Sequence, residues 1–420
     1  MKAARDFFIA GSIVLTLSNV SVRLLSYAYR IVMARLLSPY QFGILNLALP
    51  AQFMVIMLTS SGIAPSIAKF VSDTNAKRGD LNRLASSVIF YYTLGGAAIG
   101  LVFFFLAWPL GIYIFKDVNA VVPLQISALA VPFTILVSTY TGIFQGLKKV
   151  GYMSGALLFE QGMRIVLSVV LVIAGFEALG AIGGSSIGFA AAVPMSFILF
   201  KRMGLGLGER DIRVFKEVFY FSIPTSVTAI SSFILAYIDT LFIGFYLTTT
   251  DVGIYSAASP ASRLILAFTT AVYAVLIPAV SELSVKGSGS EIKRYFKTSL
   301  LALGVVVLPA TILSFLFSRQ IIAALFTREY LSAVPSFEIL VIGMAFLSLF
   351  ITNSAIFQGL GRPGAPMKIL GVFAALDALL NIFLIPLYGI EGAAFSTALA
   401  GVGAGVVSTI VLVKYLNTIE

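Results

Sequence analysis

Long apolar runs, broken at short intervals by Gly, Pro, Lys and Arg, fill the chain from one end to the other. About 20 apolar residues rising about 1.5 Å each cover a hydrocarbon core of about 30 Å. Twelve runs reach that length, near 7–33, 43–66, 84–112, 119–144, 151–175, 178–200, 218–246, 252–281, 296–317, 331–358, 365–387 and 390–414. The segments between them are short and hold most of the charge. Met1 to Val20 resembles a signal peptide, with Lys2 and Arg5 ahead of an apolar stretch. No small-x-small cleavage site follows and Arg23 interrupts the run, so this stretch is read as the first span. The pattern predicts an all-α polytopic membrane protein with twelve transmembrane helices.

A repeat lies under this pattern. Ile143-Phe144-Gln145-Gly146-Leu147 recurs as Ile356-Phe357-Gln358-Gly359-Leu360, Phe42-Gly43-Ile44 faces Val252-Gly253-Ile254, Pro123 faces Pro335, and Gly180-Ala181 faces Gly392-Ala393. These offsets all fall between 210 and 213. A nearly constant offset predicts two six-helix lobes, 1–203 and 218–420, joined by a cytoplasmic linker at 204–217 within the charged segment Lys201 to Glu217. Six is even, so the halves are parallel repeats around a central cavity, where substrate is expected near the midplane.

Composition sharpens the class. Apolar residues make up 59% of the chain and charged ones 11%, where a soluble domain carries about 25% charged. With no His and no Cys, thiolate and imidazole metal sites, disulfides, Cys nucleophiles and His bases are excluded. No phosphate-binding G-x-x-x-x-G-K-[ST] run is present. Uphill work must therefore draw on an ion gradient or a partner. The net charge of +10 would suggest nucleic acid in a soluble protein, but here 20 of the 28 Lys and Arg fall on one side of the predicted membrane and five on the other. They act as topology signals, so no nucleic-acid partner is expected, and both termini are placed in the cytoplasm.

Ionisable groups within spans cost about 2.5 to 3.5 kcal/mol each on insertion scales, so each needs a reason. Ser12, Thr16, Asn19, Arg23, Tyr27 and Arg30 form one stripe on the first span. They wall a hydrated cavity in which Arg23 and Arg30 hold a phosphate, or they bond between helices while Arg30 snorkels outward. Arg263 on the eighth span is a second candidate phosphate ligand, or pairs with an acid such as Asp239 or Glu338. Glu160 and Arg164, four apart, are spaced to pair on one helix face. Asp377 and Asn381 share a face of the eleventh span, and with Asp239 and Thr397 would offer oxygens to sodium. The alternatives are a proton-carrying carboxylate or a plain hydrogen bond.

These residues resemble the polysaccharide and oligosaccharidyl-lipid flippases, of the superfamily that also holds the multidrug and toxic compound extrusion transporters. The likeness covers the whole chain. It rests on the twelve spans in two halves, the Ser38-Pro39-Tyr40-Gln41-Phe42-Gly43 turn and the Phe-Gln-Gly-Leu ends of spans four and ten. It implies alternating access by two lobes, with a polyprenyl-(pyro)phosphate-linked oligosaccharide moved from the cytoplasmic to the outer leaflet. In related peptidoglycan-precursor flippases arginines of spans one and eight meet the pyrophosphate, which implies that role for Arg23 and Arg263. The same relatives bind sodium through spans seven, eleven and twelve, which resembles the set Asp239, Asp377, Asn381 and Thr397. The two further C-terminal spans of those relatives are not expected here, and the first span carries no acid of the kind many drug exporters use.

The expected activity is thus a flippase serving surface polysaccharide or glycan assembly, acting as a monomer in the plasma membrane among its lipids. Sodium or proton coupling is expected, with no other cofactor. The rival is a cation-coupled multidrug exporter. A polytopic enzyme is disfavoured, because no loop is long enough for a catalytic domain.

Overall fold

A computed structural model gives the fold. It describes residues 18, 21–22, 24–60 and 62–418, with the backbone alone at 58–60, 224–236, 268, 270–271 and 274–275. Every regular element among the described residues is helical. The first is α1, covering 24–36. It is followed by α2 (Pro39–Ser60), α3 (Ile63–Ala76), α4 (Leu81–Pro109), α5 (Val121–Leu129), α6 (Val131–Gly146), α7 (Val150–Leu171), α8 (Glu177–Arg202) and α9 (Ile212–Tyr246). Beyond these come α10 (Thr249–Ser262), α11 (Leu266–Val285), α12 (Gly289–Leu316), α13 (Ser318–Leu325), α14 (Val334–Gly359) and α15 (Gly364–Leu416).

Seven helical stretches among the described residues are long and apolar enough to cross a membrane. Two of them, Val150–Arg202 and Gly364–Leu416, have 53 residues each, or about 80 Å of helix against a core of about 30 Å. Each is a hairpin. The first turns at Gly175 (φ 93°) and Glu177 (φ 48°). The second turns at Gly389 (φ 63°), which folds α15 back until Gly403 lies against the Phe373 ring. Each hairpin holds two of the expected spans. The first, seventh and eighth expected spans include residues outside the full description and are not among the seven. Large apolar side chains on these stretches stand exposed, among them Leu101, Phe105, Val305, Leu308 and Leu387. On a water-facing surface such a belt would be unstable, whereas lipid tails solvate it. The chain is a multi-pass membrane protein.

The fold comprises two compact units, Met1–Tyr237 and Ile238–Glu420, and the cut between them falls inside α9. The same helix pairings recur in each. In the first unit α3 packs on α6, α4 on α6 and α7 on α8; in the second α11 packs on α14, α12 on α14, and α15 on itself. The repeated Phe-Gln-Gly-Leu segments have a packing reason. A Cβ on Gly146 would lie 2.6 Å from the Ala68 carbonyl oxygen and 2.7 Å from Val71 Cβ. On Gly359 it would lie 2.8 Å from Val280 Cβ and 3.0 Å from the Ile277 oxygen. Only glycine lets these backbones approach so closely. Helix starts match as well. Ser38 Oγ accepts from the Gln41 amide at 3.3 Å ahead of α2, and Thr248 Oγ1 accepts from the Asp251 amide at 3.3 Å ahead of α10.

The segment before α9 is tied to the start of α4. The amides of Gly206, Gly208 and Asp211 donate to Asn82 Oδ1, Ser86 Oγ and Ser87 Oγ at 2.9, 2.6 and 2.7 Å. Arg83 pairs with Asp211, and the Arg210 guanidinium lies 4.0 Å over the Phe90 ring. Phe215 of α9 packs against Tyr91 of α4 in a tilted contact and against Tyr92 edge-on, with ring centroids 5.1 and 5.0 Å away.

Candidate functional site

Two polar sites are buried in the helices, one in each unit. In the first unit α1, α2 and α7 enclose a cavity of about 160 Å³. Among the described residues its polar lining is Ser26, Tyr29, Arg30, Asn46, Gln161, Arg164 and Tyr237, its apolar lining includes Pro50 and Phe53, and no Asp or Glu is part of it. Arg30 is half-buried and donates to the Tyr237 hydroxyl at 3.3 Å. Gln161 Nε2 donates to Ser26 Oγ at 3.3 Å, and Asn46 Nδ2 donates to the Phe42 carbonyl at 2.8 Å.

Arg164 reaches this cavity because α8 lies directly on α7. Gly180, Gly184 and Gly188, one turn apart, face the α7 backbone at Leu171, Ser168 and Arg164. A Cβ on Gly188 would lie 2.6 Å from Arg164 Cγ. Arg164 Nε donates to Ser185 Oγ at 3.0 Å, its guanidinium sits 4.2 Å over the Phe189 ring, and Nη1 lies 3.7 Å from Glu160 Oε1. The pair expected from the four-residue spacing is therefore present. Arg164, which that spacing reads as structural, also faces the cavity.

In the second unit the four oxygen-bearing residues singled out from sequence come together. Asp239 from α9 accepts three hydrogen bonds: from Tyr255 Oη at 2.9 Å, Thr397 Oγ1 at 2.7 Å and Asn381 Nδ2 at 2.9 Å. Asn381 Nδ2 also lies 3.4 Å from Asp377 Oδ1. Asp239, Asp377 and Asn381 are buried, and among the described residues Asn381 Oδ1 has no hydrogen-bond partner. The hairpin at Gly389 makes this cluster possible, since it carries Thr397 back alongside Asn381. No group of three carboxylates exists among the described residues.

The remaining candidates are placed as follows. Asn19 and Arg23 lie outside the described residues, as do Ser12 and Thr16. Tyr27 is half-buried on α1 and is not part of the cavity lining. Arg263 is half-buried in the short turn between α10 and α11. Glu338 accepts from the Ser318 hydroxyl. Sequence reading passed over Tyr255, Tyr29 and Gln161. A lone Tyr or Gln on a span carries no periodic signal, and Tyr255 joins the site only through tertiary packing.

Comparison with known proteins agrees with this architecture. The family described as "Polysaccharide biosynthesis protein" matches residues 8–284, and the MatE family matches residues 224–387. A membrane protein of Methanocaldococcus jannaschii is 26% identical over 426 residues, covering 96% of this chain and 97% of that protein. Another from the same organism is 33% identical over 186 residues, 44% of this chain and 37% of that protein. The probable low-salt glycan biosynthesis flippase Agl15 of Haloferax volcanii is 26% identical over 217 residues, 52% of this chain and 45% of that protein. With the last two, the match spans less than half of the relative's own length.

Among solved structures, the lipid II flippase MurJ in an inward closed conformation superposes with a TM-score of 0.76 at 16% identity, covering 97% of this chain and 90% of that one. An inward-facing multidrug resistance transporter of the MATE family gives 0.76 at 14% identity, over 95% of each chain. The fold is thus shared with transporters of both kinds, and with a family model matching well over half of its residues, the chain belongs to the polysaccharide biosynthesis protein family.

Proposed function

We propose that this protein is a flippase. It carries a polyprenyl-phosphate-linked or polyprenyl-pyrophosphate-linked oligosaccharide from the cytoplasmic to the outer leaflet by alternating access, for surface polysaccharide or glycan assembly. The observation that carries this reading is the sign of the charge in the first unit's cavity. Among the described residues, two guanidiniums line it and no carboxylate does. Guanidinium groups receive phosphate oxygens in paired hydrogen bonds, and they repel an organic cation. The names of the Haloferax flippase and of MurJ support the same substrate class. In this reading twelve spans form lobes at 1–203 and 218–420 around the linker 204–217. Both termini are cytoplasmic, the membrane is the plasma membrane, and the monomer is the working unit. Arg23, Arg30 and Arg263 take the phosphate, with Asn19 and Tyr27 as further substrate-binding residues.

The cluster around Asp239 is the proposed coupling site. Two carboxylates, an amide oxygen and a hydroxyl are the oxygen donors that sodium favours, and the buried Asn381 Oδ1, with no hydrogen bond among the described residues, fits an ion ligand. A bound sodium ion would supply one positive charge there. Tyr255 and Asn381 hold the Asp239 carboxylate in place. A proton on one carboxylate is the other form that coupling can take.

The test is translocation of a labelled polyprenyl-pyrophosphate oligosaccharide in proteoliposomes, beside ethidium uptake, with and without a sodium gradient. Sugar-lipid movement lost in Arg23→Ala and Arg263→Ala, with the protein still inserted, is the expected result. The second reading, a cation-coupled drug exporter, draws on the anionic cluster of the second unit. Ethidium uptake that depends on Asp239 or Asp377, without sugar-lipid movement, would establish it instead.

A further inference from the structure

Arg164 is a cation with its side chain 13% exposed, and its neighbours among the described residues do not use it up. Its ion pair with Glu160 is 3.7 Å long, well beyond the roughly 2.7 to 2.9 Å of a charge-assisted hydrogen bond. Among the described residues, only Nε of its nitrogens donates a hydrogen bond, to Ser185. The guanidinium is nevertheless fixed, packed on the Phe189 ring and backed by Gly188. Arg30 lines the same cavity, with one bond at 3.3 Å to Tyr237. Tyr29 lines the cavity with them, within electrostatic reach of both arginines. Its hydroxyl is buried and makes no hydrogen bond among the described residues, while Ser168, which faces it, gives its own proton to the Ala181 carbonyl at 2.7 Å. An unspent buried hydroxyl and two arginines against one loosely paired acid leave a surplus of donors and of positive charge. Such an arrangement is costly unless an anion completes it.

We infer that Arg30 and Arg164 form a phosphate-receiving pair inside the first unit, with Tyr29 as a third donor and Glu160 as the resident counter-ion that the incoming head group displaces. This inference rests on the flippase reading and extends it. The phosphate of the lipid-linked sugar has a seat in the first unit that does not depend on Arg23 or Arg263. Glu160 keeps Arg164 tolerable in the empty protein and competes with substrate, so it tunes affinity downward and favours release.

The experiment is calorimetric titration of the full-length protein in detergent with farnesyl phosphate, using farnesol and inorganic phosphate as controls. Wild type is expected to bind farnesyl phosphate at least about ten-fold tighter than either control. Glu160→Gln, which removes the competing charge, is expected to tighten binding about five-fold. The neutral double variant Glu160→Gln/Arg164→Gln leaves no unpaired buried charge to unfold the helix pair, and is expected to weaken binding about ten-fold. If Arg164 only pairs with Glu160, the single variant leaves affinity unchanged and the double variant binds like wild type; either result overturns the inference. Inorganic phosphate binding as tightly as farnesyl phosphate would assign the pocket to a free anion and overturn the lipid-linked assignment. Wild type that does not distinguish farnesyl phosphate from farnesol would overturn the anionic-lipid reading of the whole protein.

Discussion

Glu177 and Gly389, 212 residues apart, turn the same backbone corner: φ 48° and ψ −134° at Glu177, φ 63° and ψ −140° at Gly389. This corner folds each 53-residue stretch into its hairpin. It belongs almost wholly to glycine, so a side chain there stores strain. At Glu177 the strain is offset by contacts with Gln41, whose Nε2 donates to Oε2 at 2.6 Å and whose Oε1 accepts from the Ala178 amide at 3.3 Å.

Gly389→Ala should therefore destabilise the second unit by about 1 to 3 kcal/mol. A new Cβ would meet nothing closer than Glu391 Oε2 at 3.7 Å, so the cost is conformational and not steric. Thermal unfolding of the purified protein in detergent measures it. An unchanged midpoint would mean that the corner tolerates a side chain freely.

Close helix approach gives a paired prediction. Gly146→Ala and Gly359→Ala push a methyl against a facing backbone and should each cost about 1 to 3 kcal/mol. Gly155→Ala, inside α7 with nothing within 4 Å of its would-be Cβ, should instead gain about 0.5 to 1 kcal/mol. The same unfolding assay reads all three, and equal effects would remove the packing account of the repeated Phe-Gln-Gly-Leu segment.

Thr397→Val keeps the shape of the side chain while removing the hydroxyl 2.7 Å from Asp239. If the cluster holds sodium, this variant should weaken sodium-dependent thermal stabilisation about ten-fold in concentration, and Asp239→Asn should abolish it. Stabilisation by sodium that survives in both variants would place the ion elsewhere.

Asp211 joins the linker to α4. The Arg213 amide and the Arg83 guanidinium hold its carboxyl below the ordinary value of 3.8. A depressed value in the folded protein means that its stabilisation is complete above about pH 4 and is lost as pH falls through the lowered value. The linker contact should therefore be indifferent to pH between about 5 and 8, and Asp211→Asn should loosen it at pH 7. Hydrogen exchange of the Gly206 and Gly208 amides is the measurement, and unchanged protection in Asp211→Asn would show that the serine and asparagine contacts suffice.

Most of the expected spans were legible because lipid imposes one simple rule, a run of about 20 apolar residues, and the repeated Phe-Gln-Gly-Leu segment was legible because Gly146 and Gly359 meet the same packing demand. The Asp239 cluster was half legible. Asp377 and Asn381 share a helix face that spacing reveals, whereas the approach of Asp239 and Thr397 depends on packing between helices and on the turn at Gly389. The cavity role of Arg164 was hidden for a related reason. Its partner Glu160 sits one turn away and accounts for the charge by itself, while the neighbours that aim it, Ser185 and Phe189, come from the next helix. The Gly180 to Gly188 run marked a close contact without revealing what that contact delivers.

The docking of the 204–211 segment on α4, together with the unit boundary inside α9, bears on how this protein can be taken apart. A gene split at the exposed loop would send residues 212–237 out with the wrong fragment. The first fragment would then lose the Phe215 contacts with Tyr91 and Tyr92. Fragments meant to reassemble should overlap through α9, with both copies carrying that helix. A fluorescent reporter or epitope inserted between Gly204 and Glu209 would pry away the amides that Asn82 and Ser86 hold. The Gly287 turn between α11 and α12, with open space around it, is the gentler place for a tag.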